Sequence, residues 1–171
     1  MNPNTLLKQE LVALVPWTRV ADLLLRNNWS LVTAESCTGG LIAAACTDLA
    51  GSSNWFERGF VTYSNAAKTQ ALGVDTELIE KEGAVSEAVA RAMATGALQH
   101  SHAQVAVAVT GVAGPTGGSK LKPVGTVWFG FATPAATITE VRHFDGDRAA
   151  VRTASVAHAL QRLTELLTPA H

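Results

Sequence analysis

The sequence predicts an α/β fold: a three-layer α/β/α sandwich around a mixed, mainly parallel sheet that includes a hairpin. Three observations carry this. Helical and strand-like stretches alternate along the chain, the order that builds a parallel sheet covered by helices. The alternation breaks once, where the strand-like runs 125–132 and 137–144 follow each other with no helix between them, as in a hairpin. The chain is also rich in alanine, the strongest helix former, which suits closely approaching helices. A length of 171 residues fits one domain over residues 1–171, long enough for its own core.

The elements follow in order. From Thr5 to Arg26 most residues are helix formers, with Leu7, Leu11 and Leu14 spaced four and three apart. Pro16 should kink that helix or start a second one. Ser30 to Ala34 is a short apolar, β-branched run, consistent with a buried strand. Leu41 to Leu49 reads as a helix closed by Gly51-Ser52-Ser53. Gly59 to Ser64 reads as a strand, Asn65 to Leu72 as a short helix ending at Gly73, and Thr76 to Glu82 as another. Ser86 is a good N-cap for a helix through Gln99, and Val105 to Val109 is a buried-looking strand. After the hairpin, Asp147 can cap a last helix on which Val156, Leu160, Leu163 and Leu167 mark one apolar face.

Composition narrows the function. AVILMFWYC residues make up 47% of the chain, too many for disorder. Thirteen basic against fourteen acidic residues leave a net charge of −1, so no broad attraction to nucleic acid or an anionic membrane is expected. No apolar run approaches the roughly 18 residues of a membrane span. The N-terminal residues lack the charged and apolar regions of a secretion signal. Cys37 and Cys46 fit no metal or redox spacing, and the expectation is a cytoplasmic protein with free thiols.

Four stretches are candidates for chemistry. In Glu35-Ser36-Cys37-Thr38-Gly39-Gly40 a strand delivers Ser36 to a turn and a helix begins at once. Free N–H groups at a helix start can hold a phosphate, or the oxyanion formed when a serine attacks an amide. Ser36 or Thr38 acting merely as an N-cap is the plainer reading. In Tyr63-Ser64-Asn65-Ala66-Ala67-Lys68, a lysine follows a strand-end tyrosine. Lys68 can serve as the base a serine nucleophile needs if burial lowers its pKa, with Tyr63 orienting it or relaying a proton; a solvated lysine is the plainer reading.

The third stretch, Thr110 to Gly118, holds four glycines and a proline within Gly111–Gly118 and follows a strand. It matches neither a P-loop nor a dinucleotide-binding glycine motif, because Ser119 and Leu121 stand where the P-loop needs Gly and Ser/Thr. The fourth, Asp145-Gly146-Asp147-Arg148, places Arg148 at a helix start, where it can meet a phosphate or carboxylate or simply face water. His143, Asp145 and Asp147 lack the spacing of a recognised metal site.

Read together, these stretches resemble a known family. The set includes Thr33-Ala34-Glu35-Ser36-Cys37-Thr38-Gly39-Gly40, Ala50-Gly51-Ser52-Ser53-x-Trp55-Phe56-x-x-Gly59 and Val61-Thr62-Tyr63-Ser64-Asn65-x-x-Lys68. It continues with Gly83-Ala84-Val85-Ser86, Thr110-Gly111-x-Ala113-Gly114-Pro115-x-Gly117-Gly118 and Lys122-Pro123-Val124-Gly125-Thr126-Val127. In this order, over residues 5–168, they closely resemble the CinA C-terminal domain family, and more narrowly its stand-alone nicotinamide-nucleotide amidases.

The resemblance implies hydrolysis of the carboxamide of nicotinamide mononucleotide (NMN) to nicotinate mononucleotide and ammonia, with no metal and no cofactor. It implies Ser36 as nucleophile, Lys68 as its base and Tyr63 assisting. Thr38, Gly39, Gly40, Ser53, Asn65, Thr110, Gly111, Gly114 and Arg148 become the expected substrate contacts. The family also points to a homodimer or larger homo-oligomer, for which Trp17, Trp55 and Phe56 offer apolar surface. A catalytically silent nucleotide-binding regulatory module is the competing reading, and the intact Ser36, Tyr63 and Lys68 set speaks against it. A phosphotransferase built on the 110–118 loop is a third, weakened by the failed P-loop match.

Overall fold

Strand β1 (Leu31–Glu35) is buried along its whole length, so its sequence is a continuous run rather than an alternation. It lies between β2 (Phe56–Val61) and β3 (Val105–Gly111), parallel to both. Strands β4 (Thr126–Ala132) and β5 (Thr137–His143) complete a five-stranded sheet of order β2-β1-β3-β4-β5. β4 is antiparallel to β3 and β5 to β4, so β4 alone runs against the other four. The expected mainly parallel sheet with a hairpin is what forms.

The computed structural model describes residues 17–169. Helix α1 occupies residues 17–26. It is followed by α2 (Leu41–Thr47), α3 (Asn65–Leu72), α4 (Thr76–Glu82), α5 (Glu87–Gln99) and α6 (Arg148–Leu167). The expected spacing of Leu7, Leu11 and Leu14 and the break at Pro16 lie outside the described residues.

The period-2 geometry of β3 sorts its side chains into two layers. Val105, Val107 and Val109 face a core shared with α1, α2 and α6, through Leu24, Ile42 and Leu163 among others. Ala106 and Ala108 face a second core with α3 and α5, through Leu72, Val89 and Met93. The alanines let α5 sit close to the sheet. Trp17 and Trp55, which had offered themselves as interface residues, are buried in the first core at 4% and 2% exposure.

Expected boundaries move at β3, β2 and α2. β3 runs on to Gly111 rather than ending at Val109, because Thr110 and Gly111 pair with Trp128 and Val127 of β4 and so belong to the strand rather than to the loop. β2 runs over Phe56–Val61, earlier than Gly59–Ser64, because its partner β1 ends at Glu35, which pairs with Val61. One further bond, Thr62 N–H to Glu35 O at 2.8 Å, closes the ladder, so Tyr63 lies beyond the strand. α2 stops at Thr47 rather than Leu49. The same register places the carboxyl ends of β1, β2 and β3 side by side, since Glu35 pairs with both Val61 and Val109. Three loops therefore converge at one edge of the sheet.

The close approach of α5 yields a test. A Cβ added at Gly96 would lie 2.0 Å from the Leu72 carbonyl oxygen. Alanine is favoured over glycine inside a helix by about 1 kcal/mol, so propensity alone predicts a gain for Gly96→Ala. The clash is with backbone and must dominate. Gly96→Ala is expected to lower stability by about 2 kcal/mol or more in urea unfolding, the range of overpacked cores.

Candidate active site

Ser36 follows β1 directly, and its N–H is fixed by the Val109 carbonyl of β3 at 2.9 Å. Lys68 lies in the middle of α3, a helix started by Ser64, whose hydroxyl accepts from the Ala67 N–H. Lys68 and Leu72, four residues apart, both turn into the interior. The lysine therefore occupies a position that a helix facing a core normally gives to a leucine. Its Nζ stands 3.1 Å from Ser36 Oγ.

Lys68 is only 1% exposed, and burial pushes its pKa down from the usual lysine range. Among the described residues it has no carboxylate partner to hold a charge in place. Its nitrogen donates to the carbonyls of Thr62 at 2.9 Å and Tyr63 at 3.4 Å. A neutral amine has two N–H donors and one lone pair. With both donors given to carbonyls, the lone pair is left for the Ser36 hydroxyl hydrogen. This is the arrangement a general base requires.

The turn carrying Ser36 is held by Glu35, a residue to which the sequence reading assigned no role. Its carboxylate is fully buried. Oε2 accepts from the N–H groups of Gly40 at 3.1 Å and Ile42 at 3.0 Å, and Oε1 from Ala43 at 2.8 Å. Neither Ser36 nor Thr38 is the N-cap of α2; that position is Gly40, with φ 97° and no side-chain cap of its own. The Gly39 and Gly40 amides, expected from the sequence to meet substrate, are instead both engaged, Gly39 donating to Ser36 O and Gly40 to Glu35. In this turn the Cys37 and Thr38 amides are the ones without a carbonyl acceptor. Beside them the Cys37 thiol is pushed up to about 11, chiefly by burial, which keeps it inert.

Arg148 and Arg152 of α6 border a cavity of about 610 Å³, with Ala113, Pro115, Val124 and Asp147. Arg148 donates to the Gly114 carbonyl at 3.0 Å and to the Tyr63 hydroxyl at 2.9 Å. Arg152 donates to the Thr38 carbonyl at 3.1 Å. Tyr63 thus meets Lys68 through its main-chain carbonyl, while its ring is 60% exposed and its hydroxyl is engaged by Arg148. A larger apolar groove of about 880 Å³ lies between α1, α2 and α6 and includes neither Ser36 nor Lys68.

The remaining expected contacts divide. Thr110 follows the Val109 carbonyl that fixes Ser36, and its hydroxyl donates to the Ala84 carbonyl at 2.8 Å, so it serves the scaffold. Gly111 is glycine because a Cβ there would lie 2.8 Å from the Val127 side chain. Gly114 reaches the site through the carbonyl that Arg148 grips. Asn65 opens α3 on an exposed face and lines a separate depression of about 360 Å³ with Thr76 and Glu80. Ser53 is not brought to the site: it precedes β2, at the amino end of the strands and opposite the loops that carry Ser36 and Lys68. Glu35 and Arg152 are the residues the sequence reading missed. An acid beside a helix start is a capping signal, and Arg152 stands one helical turn after Arg148.

The chain is similar to known proteins over most of its length. Residues 16–167 match the model of the CinA C-terminal domain. A Pseudomonas putida protein named nicotinamide-nucleotide amidohydrolase PncC is 54% identical over 151 residues, which cover 88% of this chain and 94% of that one. One of the same name from Enterobacter agglomerans is 57% identical over 136 residues, covering 79% and 83%. A solved structure, the competence/damage inducible protein CihA from Agrobacterium tumefaciens, superposes with a TM-score of 0.88 at 45% identity, covering 91% of this chain and 96% of that one.

Glu35→Ala would leave three amides without their acceptor. At about 1 kcal/mol or more for each lost partner, a fall of roughly 3 kcal/mol in unfolding free energy is expected. Glu35→Gln keeps the shape but turns an NH2 group toward N–H donors. It should still cost stability, and should lower turnover through a displaced Ser36. Urea titrations and activity assays on both variants check this.

Proposed function

The chain belongs to the CinA C-terminal domain family, and we propose that it is a nicotinamide-nucleotide amidase, hydrolysing NMN to nicotinate mononucleotide and ammonia. The observation that carries this is the contact between Ser36 and a buried, carboxylate-free Lys68. An amidase needs a nucleophile, a proton carrier and an oxyanion site in one place. A silent binding module needs none of them.

The geometry supports the following course of reaction. The lone pair of Lys68 takes the Ser36 proton as Oγ attacks the carboxamide carbon. The carbonyl π pair moves onto oxygen, and the Cys37 and Thr38 amides are the donors this turn has left for it. Collapse breaks the C–N bond, and the Lys68 proton passes to the leaving nitrogen, releasing ammonia and a nicotinoyl ester on Ser36. Lys68 then takes a proton from water, which cleaves the ester and restores the hydroxyl. The pyridinium ring draws electrons from the amide and eases the attack.

Tyr63 contributes by the carbonyl that holds Lys68 and by the hydroxyl that holds Arg148. Arg148 stands where it can meet the substrate's phosphate. The scheme needs no metal. The product would enter pyridine nucleotide salvage in the cytoplasm, the protein acting as a homodimer or larger assembly. No helix among the described residues is long and apolar enough to cross a membrane.

The direct test is ammonia release from NMN with EDTA present. Wild type should release it and Ser36→Ala should be slower by about 1,000-fold or more, the scale of losing a nucleophile. Equal rates would remove Ser36 from the chemistry, and release by neither, with NMN bound, would return the silent module.

Lys68 sets the pH dependence. It must be neutral to act, so kcat/KM should rise with pH through its lowered pKa and then level off. Lys68→Met should abolish turnover. Stability carries the opposite mark of the same group. Between the lowered folded pKa and the ordinary value of 10.5, the unfolded chain binds a proton that the folded chain does not. Wild-type stability therefore rises with pH across that window. Methionine does not titrate, so the stability of Lys68→Met relative to wild type should be greatest near neutrality and shrink toward pH 10, as read by urea unfolding at both pH values.

A further inference from the structure

We propose that Arg152 is the anion-binding residue that makes the substrate's phosphate a condition of efficient turnover, acting with Arg148 in the cavity that both of them line. This rests on the reading of NMN as substrate. Arg148 and Arg152 are four residues apart on α6 and share one face of it. Arg58, Arg91, Arg142 and Arg162 each have a carboxylate at 2.7 to 3.3 Å. Among the described residues Arg148 and Arg152 have none; their partners are the neutral oxygens of Gly114, Tyr63 and Thr38.

Two further features show that Arg152 is incomplete. Its Nε is buried without a hydrogen-bond partner. So is the hydroxyl of Thr38, the residue whose carbonyl Arg152 holds. A buried donor left unpaired costs about 1–3 kcal/mol, more when charged, and native proteins rarely leave one without reason. Among the described residues Asp147 is the one acid on the cavity wall, and its carboxylate caps α6 by accepting from the Ala150 N–H at 2.9 Å. Two guanidinium charges against one carboxylate leave the cavity positive, at the positive end of a 20-residue helix.

A phosphate dianion supplies what this cavity lacks: charge, and acceptor oxygens for unused N–H groups. Both guanidiniums act electrostatically on Cys37, the residue next to Ser36. A substrate held here by its phosphate would extend its other end toward the nucleophile. That anchoring is energy a substrate lacking phosphate cannot provide.

The test compares NMN with nicotinamide riboside, the same molecule without phosphate, in wild type, Arg152→Ala and Arg152→Lys. Losing one charge-assisted contact should cost about 10- to 100-fold. The ratio of kcat/KM for NMN over the riboside should therefore fall by at least tenfold in Arg152→Ala, with partial recovery in Arg152→Lys. A role confined to shaping the Ser36 turn through Thr38 would lower both substrates alike, leave the ratio unmoved and overturn the proposal. Calorimetric binding of NMN and of inorganic phosphate separates this from the parent reading. If wild type releases no ammonia but binds both ligands, and Arg152→Ala weakens both at least tenfold, the amidase reading falls and the phosphate site stands. If wild type turns over NMN while Arg152→Ala changes neither the ratio nor the binding, the amidase stands and the phosphate site falls.

Discussion

The site depends on one buried carboxylate. Burying an ionised glutamate costs several kcal/mol unless its oxygens are met by donors. Glu35 meets that condition with three backbone amides, those of Gly40, Ile42 and Ala43. A charged acceptor roughly doubles the strength of each bond. The carboxylate also belongs to a sheet strand, while the amides belong to the helix that follows. The bonds therefore fix the distance and angle between strand and helix, and everything between them, Ser36 included, is held at both ends. The cost is functional: the Gly40, Ile42 and Ala43 amides at the start of α2 are committed to Glu35, so in the proposed scheme the oxyanion falls to Cys37 and Thr38.

Lys68 is placed by the sheet rather than by the turn. Thr62 donates to the Glu35 carbonyl at 2.8 Å, the last ladder bond between β1 and β2. The Thr62 carbonyl is then directed at Lys68 Nζ. The register that ends β2 thus also aims the base at the nucleophile. Removing a lysine from water is unfavourable, and no carboxylate lowers that cost here. The resulting pressure toward the neutral amine is what the proposed chemistry would use.

The sequence displayed the architecture because the architecture obeys local rules. Ser64 for α3, Asp75 for α4, Ser86 for α5 and Asp147 for α6 are ordinary side-chain caps, and each helix starts where its cap places it. The catalytic candidates Ser36, Tyr63 and Lys68 were legible mainly through the family resemblance, since a serine near a turn and a lysine on a short helix are individually common. Glu35 was hidden because its cap spans a turn: donors up to eight residues later are reached from a strand, a pairing set by tertiary geometry. Arg152 was hidden because nothing in sequence separates an arginine with an empty donor from one paired to an acid. β2 was misplaced because the bulk of Phe60, Val61 and Tyr63 drew the strand forward, whereas its end is dictated by its neighbour. Ser53 belonged to a motif with no spatial claim on the site; motif order says nothing about which end of a strand a turn occupies.

Helix α6 joins these levels. Its later turns are anchored, with Ala159, Leu160, Leu163 and Leu167 buried in the first core, and Val151 and Ser155 continue that seam toward the start. The two arginines are carried on its first turns, so their positions inherit the rigidity of the packed half. Tyr63, Gly114 and Thr38 belong to the three loops at the strand ends, and each is touched by one of these guanidiniums. An anion bound between the arginines would compete for donors that now steady all three loops. Occupancy of that cavity and the order of the Ser36 turn would therefore be linked through shared hydrogen bonds, so the phosphate of the proposed substrate would bear on the chemistry at its far end through contacts, without any movement of the sheet.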